Sequence, residues 1–181
     1  LPKLAAALIL FAIGYMALTV LMLTYPASSS VCCSTPADRG FGYETVKFSS
    51  SDGVILSGWY IPSQNRAAVI LLHGYGADRR DMMEHADFLA RQGYGVLLYD
   101  LRSHGESGGN MRAYGWLDLP DVDAALNFLE ARSDIDPTRI GILGFSIGGQ
   151  IAIRAAAQNM KIQTVVVDGA STANQQDQPA A

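Results

Sequence analysis

Four apolar runs separated by helix-length segments constrain this chain more than any other feature. AAVILLHG, GVLLYD, IGILGF and TVVVD begin at residues 67, 95, 140 and 164. Each is continuously apolar over a strand's length, the pattern of strands covered on both faces. Between them, DRRDMMEHADFLARQG has helical spacing that points Met83, Phe88 and Leu89 inward. A second helix is predicted from about Leu117 to Arg132, with Val122, Ala125, Leu126 and Leu129 on one stripe, and a third over IGGQIAIRAAAQ. Buried strands alternating with amphipathic helices predict an α/β fold around a mostly parallel sheet. Ahead of them, ETVKFSS and VILSGWYIP flank Ser51-Asp52-Gly53 and read as an antiparallel hairpin. The domain is expected to begin near Tyr43 and run to residue 170, with a polar tail over 171–181.

Gly144-Phe145-Ser146-Ile147-Gly148 fits G-x-S-x-G, in which a serine sits on a strained turn between a strand and a helix. Here the motif follows an apolar strand and opens a helix, the setting that its chemistry requires. Gly144, Gly148 and Gly149 leave room where helix and strand approach. The bland alternative is a glycine-rich turn or a phosphate cradle at a helix amino end; no G-K-[ST] follows to favour a P-loop. A second element, His73-Gly74-Tyr75-Gly76, comes directly after the strand AVILL. Its Tyr75 N–H, with the N–H of Ile147, is placed to hold a developing oxyanion. His73 reads as a residue that holds this loop rather than as a base.

From Leu4 to Tyr25 the chain runs 22 residues without a charge, roughly 33 Å as a helix and enough to span a bilayer core. A cleaved secretory signal is the alternative, but this apolar stretch is longer than the usual h-region of about 7–15 residues. Residues 1–25 are therefore expected to form a single-pass anchor and 26–42, small, polar and proline-broken, a linker. Lys3 ahead of the anchor places the amino end inside and the domain outside the cytoplasm. Cys32 and Cys33, as neighbours, are poorly placed to bridge each other; pairing between chains, palmitoylation and an unremarkable linker all remain open. A net charge of −4 without a Lys/Arg block gives no footprint for nucleic acid. Oligomeric state is not legible.

HGYGADRRDM, YDLRSHGESGG and RIGILGFSIGG, in this order and with strands between them, resemble the α/β-hydrolase superfamily. Within it the chain is most similar to membrane-anchored bacterial hydrolases of the serine-aminopeptidase-like and Bem46-like group. The resemblance covers about residues 43–170 and implies a serine hydrolase that cleaves a small-molecule or peptide ester, thioester or amide through an acyl-enzyme on Ser146. It implies no metal or organic cofactor, and no Cys/His cluster has ligand spacing. Arg102 and His104, in the family's D-x-R-x-H-G-x-S loop, are expected to fix that loop, and His85 to be a surface or packing residue.

The family's triad runs Ser, then acid, then His along the chain, whereas His73, His85 and His104 all precede Ser146. Asp168, at the end of TVVVD, is a candidate acid or simply a strand cap. The expectation is therefore of a truncated hydrolase whose acid and histidine lie further on, this chain being inactive by itself. A non-catalytic membrane-bound scaffold that keeps the hydrolase sheet, or an acyltransferase on the same fold, are the alternatives.

Overall fold

The computed structural model describes residues 2–25, 30–31 and 33–170. Residues 26–29 of the expected linker, Cys32 and the tail 171–181 lie outside the described residues. Six strands, β1 (Glu44–Ser49), β2 (Ile55–Ile61), β3 (Ala68–Leu72), β4 (Gly95–Tyr99), β5 (Ile140–Phe145) and β6 (Ile162–Asp168), alternate after the opening hairpin with helices α2 (Met83–Arg91), α3 (Leu119–Glu130) and α4 (Ile147–Gln158). They form one sheet in the order β1-β2-β4-β3-β5-β6. The β1–β2 and β2–β4 pairs are antiparallel, and the β3–β4, β3–β5 and β5–β6 pairs parallel.

The continuous apolar runs have a simple cause. Successive strand side chains point to opposite faces, and both faces of the central strands are covered. Ile70 and Leu72 of β3 and Leu97 and Tyr99 of β4 join a core with Val122, Ala125, Leu126, Leu129 and Ile151 of α3 and α4. Leu71 and Leu98, from the same strands, join the opposite core with Trp59, Met82, Met83, Ala86 and Ala90. Packing also begins ahead of Tyr43. Pro36 is buried in a short 3-10 turn (Pro36–Arg39), and the Tyr43 ring meets Trp59 edge-on at 5.9 Å.

Phe88 corrects the predicted inward stripe, being 67 % exposed. The nine-residue α2 touches the sheet through Met83, Ala86 and Ala90, spaced by three and four residues, and Phe88 falls off that line. It borders an open groove of about 720 Å³ that is also lined by Leu89, Leu143 and Val166. β6, read from its apolar run as a buried strand, pairs among the described residues with β5 alone and exposes Val165, Val166 and Val167.

At the amino end, α1 (Pro2–Thr24) has a mean hydropathy of 2.4 over Lys3–Thr24, with none of that stretch buried. It is long and apolar enough to cross a membrane. A core helix of a soluble protein would instead be covered by its neighbours.

The loop after β4 is fixed by buried charge. Asp100 accepts hydrogen bonds from the Arg79 N–H on Oδ1 and the Glu106 N–H on Oδ2, both at 2.8 Å, while burial pushes its carboxyl above the usual range. Arg102 donates from Nε and Nη2 to the two oxygens of Asp121 at 2.8 and 2.6 Å, and from Nη1 to Asp52 at 2.9 Å. The Asp121 side chain is fully buried and Arg102 is 6 % exposed. Removing one partner of a buried pair leaves an uncompensated charge. Asp121→Ala is therefore expected to destabilise the fold by about 3 kcal/mol, read as a lowered urea midpoint, and Asp121→Asn by less.

Candidate active site

β5 delivers the chain to Ser146 and α4 takes it away, and between them Ser146 adopts φ 53°, ψ −117°. A non-glycine residue in such a region costs about 1–3 kcal/mol and persists only where its surroundings over-determine it. Here they do. The Ser146 N–H donates to the Asp168 carbonyl at 2.9 Å, and the Ser146 carbonyl accepts from Gly149 and Gln150 at 3.0 and 3.3 Å. A Cβ on Gly144 would lie 2.2 Å from the Gly148 carbonyl carbon, and one on Gly148 would lie 2.4 Å from the Leu72 carbonyl oxygen. The first turn of α4 thus rests directly on the ends of β3 and β5.

The loop after β3 lies against this turn: a Cβ on Gly74 would sit 3.1 Å from the Phe145 ring and 3.6 Å from the Ser146 Cβ. Among the described residues, the Tyr75 N–H has no hydrogen-bond acceptor. The Ile147 N–H belongs to the first turn of α4, where amides lack partners within the helix. Two backbone N–H groups, those of Tyr75 and Ile147, are thus without an acceptor among the described residues.

His73 and His104 lock this loop, and the partners of each ring define its tautomer. A backbone N–H can only donate, so Nε2 of His73 accepts from Leu101 at 2.9 Å and Nδ1–H donates to the Gly74 carbonyl at 2.7 Å. Likewise Nε2 of His104 accepts from Gly76 at 3.2 Å and Nδ1–H donates to the Arg102 carbonyl at 2.8 Å. Burial pulls the two rings down to pKa values of about 3 and about 4. With both ring nitrogens engaged and no proton affinity near neutrality, neither can serve as a base for Ser146.

A family model described as serine aminopeptidase, S33 (Hydrolase_4) matches residues 63–180. The protein YfhR of Escherichia coli O157:H7 is 32 % identical over 147 residues, which cover 74 % of this chain and 51 % of YfhR. The polyketide transferase ATR5 of Stachybotrys chlorohalonatus is 32 % identical over 133 residues, 71 % of this chain and 45 % of its own. Among solved structures, the esterase Pf2001 of Pyrococcus furiosus superposes with a TM-score of 0.74 at 35 % identity, over 80 % of this chain and 58 % of the esterase. The chain belongs to the α/β-hydrolases. It spans about half the length of the curated relatives it matches.

In this α/β-hydrolase-fold chain Asp168 ends β6 one hydrogen bond from the elbow, with its carboxylate 56 % exposed and Oδ2 3.5 Å from Nε2 of His85. His85 comes from the middle of α2, so the pair joins residues far apart in sequence, and nothing local in either segment signals it. Among the described residues no hydrogen bond joins Asp168, His85 or any other side chain to the Ser146 hydroxyl. Groups with ligand spacing for a metal ion are absent among the described residues.

A methyl group at position 148 would displace backbone rather than a flexible side chain. Gly148→Ala is expected to destabilise by about 3 kcal/mol, measured by chemical denaturation. The histidines make a second expectation. Unfolded, both take a proton near the ordinary pKa of about 6.5, whereas folded they resist until about 4 and about 3. The unfolded state therefore binds more protons in that window, and stability is lost as pH falls from about 6.5. Asp118 and Asp100 oppose this: burial raises both carboxyls, Asp118 to about 6 with the nearby Asp121 charge adding to it, so both favour the fold on acidification. The two histidines take up their protons in the unfolded state first, and the denaturation midpoint is expected to begin falling as pH drops below about 6.5. His104→Gln should remove about one proton from that slope.

Proposed function

We propose that this chain carries the nucleophile and oxyanion hole of a membrane-anchored serine hydrolase that cleaves an ester, thioester or amide through an acyl-enzyme. The observation that carries the reading is the strained backbone of Ser146, packed against Gly74, whose neighbour Tyr75 has an N–H without an acceptor among the described residues. In this mechanism the Ser146 hydroxyl attacks the carbonyl carbon as its proton passes to a general base. The Tyr75 and Ile147 amides hold the resulting oxyanion, each donor contributing about 3–4 kcal/mol. The tetrahedral intermediate then collapses onto the serine ester and expels the alcohol, thiol or amine, and water later releases the acid.

None of the three histidines is joined to Ser146, so we place the base in the portion of the relatives' length that this chain does not span. Asp168, already 3.5 Å from His85, is the candidate acid within the chain. The helix α1 is read as the single-pass anchor, with Lys3 inside and the hydrolase domain outside the cytoplasm. The substrate is a small molecule or peptide bearing an acyl group. An acyltransferase differs only in what accepts that group, and the likeness to a polyketide transferase keeps this second reading in play.

Labelling with a fluorophosphonate serine probe tests the proposal on the chain, on Ser146→Ala, and on a form extended to the relatives' full length. The extended form is expected to label and its Ser146→Ala variant to stay blank, while the chain alone labels slower by about 10³-fold or more. A folded extended form that does not label would leave only the scaffold reading.

A further inference from the structure

The carboxyl end of α1 is tied to the loop that carries the proposed oxyanion donor. The Tyr75 hydroxyl donates to the Leu23 carbonyl at 2.7 Å, and the Arg112 N–H donates to the Thr24 carbonyl at 2.8 Å. Both acceptors belong to the last turn of α1, whose carbonyls have no partner inside the helix. The Tyr75 ring stacks on Tyr114 at 4.9 Å with an interplanar angle of 6°, and the Arg112 guanidinium sits 5.3 Å from the Tyr75 ring centre.

On the other side, the same segment leans on the nucleophile's helix. A Cβ on Gly115 would lie 3.1 Å from Ile151 and 3.7 Å from Ile147, the first residue after Ser146. Residues 111–117 therefore bridge the end of α1 and the elbow. Their apolar side chains face outward, with Tyr114 48 %, Trp116 61 % and Leu117 43 % exposed. The Arg154 guanidinium lies 4.5 Å from the Trp116 ring centre. Single exposed apolar residues need no explanation. Two aromatics and a leucine within four residues, accompanied by Arg112 and Arg154 and hydrogen-bonded to the end of an apolar helix, match the aromatic and basic composition of the membrane–water interface.

We infer that residues 111–117 dock into the headgroup region of the bilayer from which α1 emerges, and that the acyl substrate of Ser146 is a long-chain membrane-resident ester that enters through this face. The inference rests on α1 as an anchor and Ser146 as the nucleophile. The occupant is the lipid surface because the patch is continuous with α1: Thr24 and Arg112 share a hydrogen bond, so that end of the helix cannot lie at the interface without carrying the loop there. The two arginines add an attraction for anionic headgroups.

Trp116 is a built-in reporter, since the other tryptophan, Trp59, is 4 % exposed within the core. The full chain is placed in nanodiscs of phosphatidylcholine and phosphatidylglycerol, with and without lipid brominated near the headgroup. Trp116→Phe identifies the Trp116 component of the emission. Docking predicts that bromolipid quenches this component and aqueous iodide does not; the reverse overturns docking. In the extended form, a long-chain fluorophosphonate dissolved in the bilayer is compared with a short water-soluble one. Trp116→Asp is expected to slow the long-chain probe about tenfold, the loss of one buried aromatic contact, and to leave the short probe unchanged. Equal effects on both probes overturn entry from the membrane. Absence of labelling by either probe in the unsubstituted form overturns the nucleophile reading and the substrate class with it, while bromolipid quenching still decides the docking.

Discussion

Everything at the candidate site depends on one close backbone approach, that of the first turn of α4 to the ends of β3 and β5. Gly148 faces the Leu72 carbonyl, and Gly144 faces Gly148, at separations that leave no volume for a methyl group. Because the helix begins so close to the sheet, the connecting residue has no room for an ordinary turn, and Ser146 is forced to positive φ. The strain is held by the rest of the domain. β5 is paired on both sides, by β3 and β6, and α4 packs its Ile151 and Ala152 into the core shared with α3. A serine presented in this way projects from the carboxyl edge of a parallel sheet, where strand ends and helix starts leave a crevice for ligands.

The same approach makes the loop after β3 part of the site. Gly74 lies against Phe145 and Ser146, so the position of the Tyr75 amide is set by whatever holds residues 73–76. That work falls to two neutral histidines, each bridging segments 28 residues apart through a ring nitrogen. Imidazole suits the task because it offers one donor and one acceptor in a rigid plane. Burial keeps it neutral, so the acceptor stays an acceptor across the range where the fold is stable. The histidines that look most reactive in the sequence are thereby consumed in holding the loop after β3.

This division explains what the sequence discloses and what it withholds. The strands of the sheet are legible because Val96, Leu97, Leu98 and Tyr99 alternate between two cores that both need apolar side chains. The elbow is legible because its glycines answer a local steric demand. α3 reads cleanly, its four predicted stripe residues all being fully buried. Phe88 is misplaced because a helix of nine residues touches the sheet along a line narrower than its apolar content implies. The edge position of β6 follows from chain order, TVVVD being the last strand among the described residues, whereas its apolar run by itself reports composition and not how many neighbours it has. The pairings His85–Asp168 and Tyr75–Leu23 exist only through the topology, and neither residue's own segment carries a signal for its partner.

Of these long-range contacts, the one at the end of α1 reaches furthest. A membrane helix attached through a free linker would leave the domain's orientation undetermined, and the site could face any direction. Here the last turn of the helix shares hydrogen bonds with Tyr75 and Arg112, and Tyr75 directly follows Gly74, which lies against Ser146. The Tyr75 side chain reaches for the helix, while its neighbour Gly74 packs against Phe145 and Ser146. In the proposed reading, orientation at the bilayer and the oxyanion site both depend on where the loop after β3 is held, and a change that loosens the loop disturbs both.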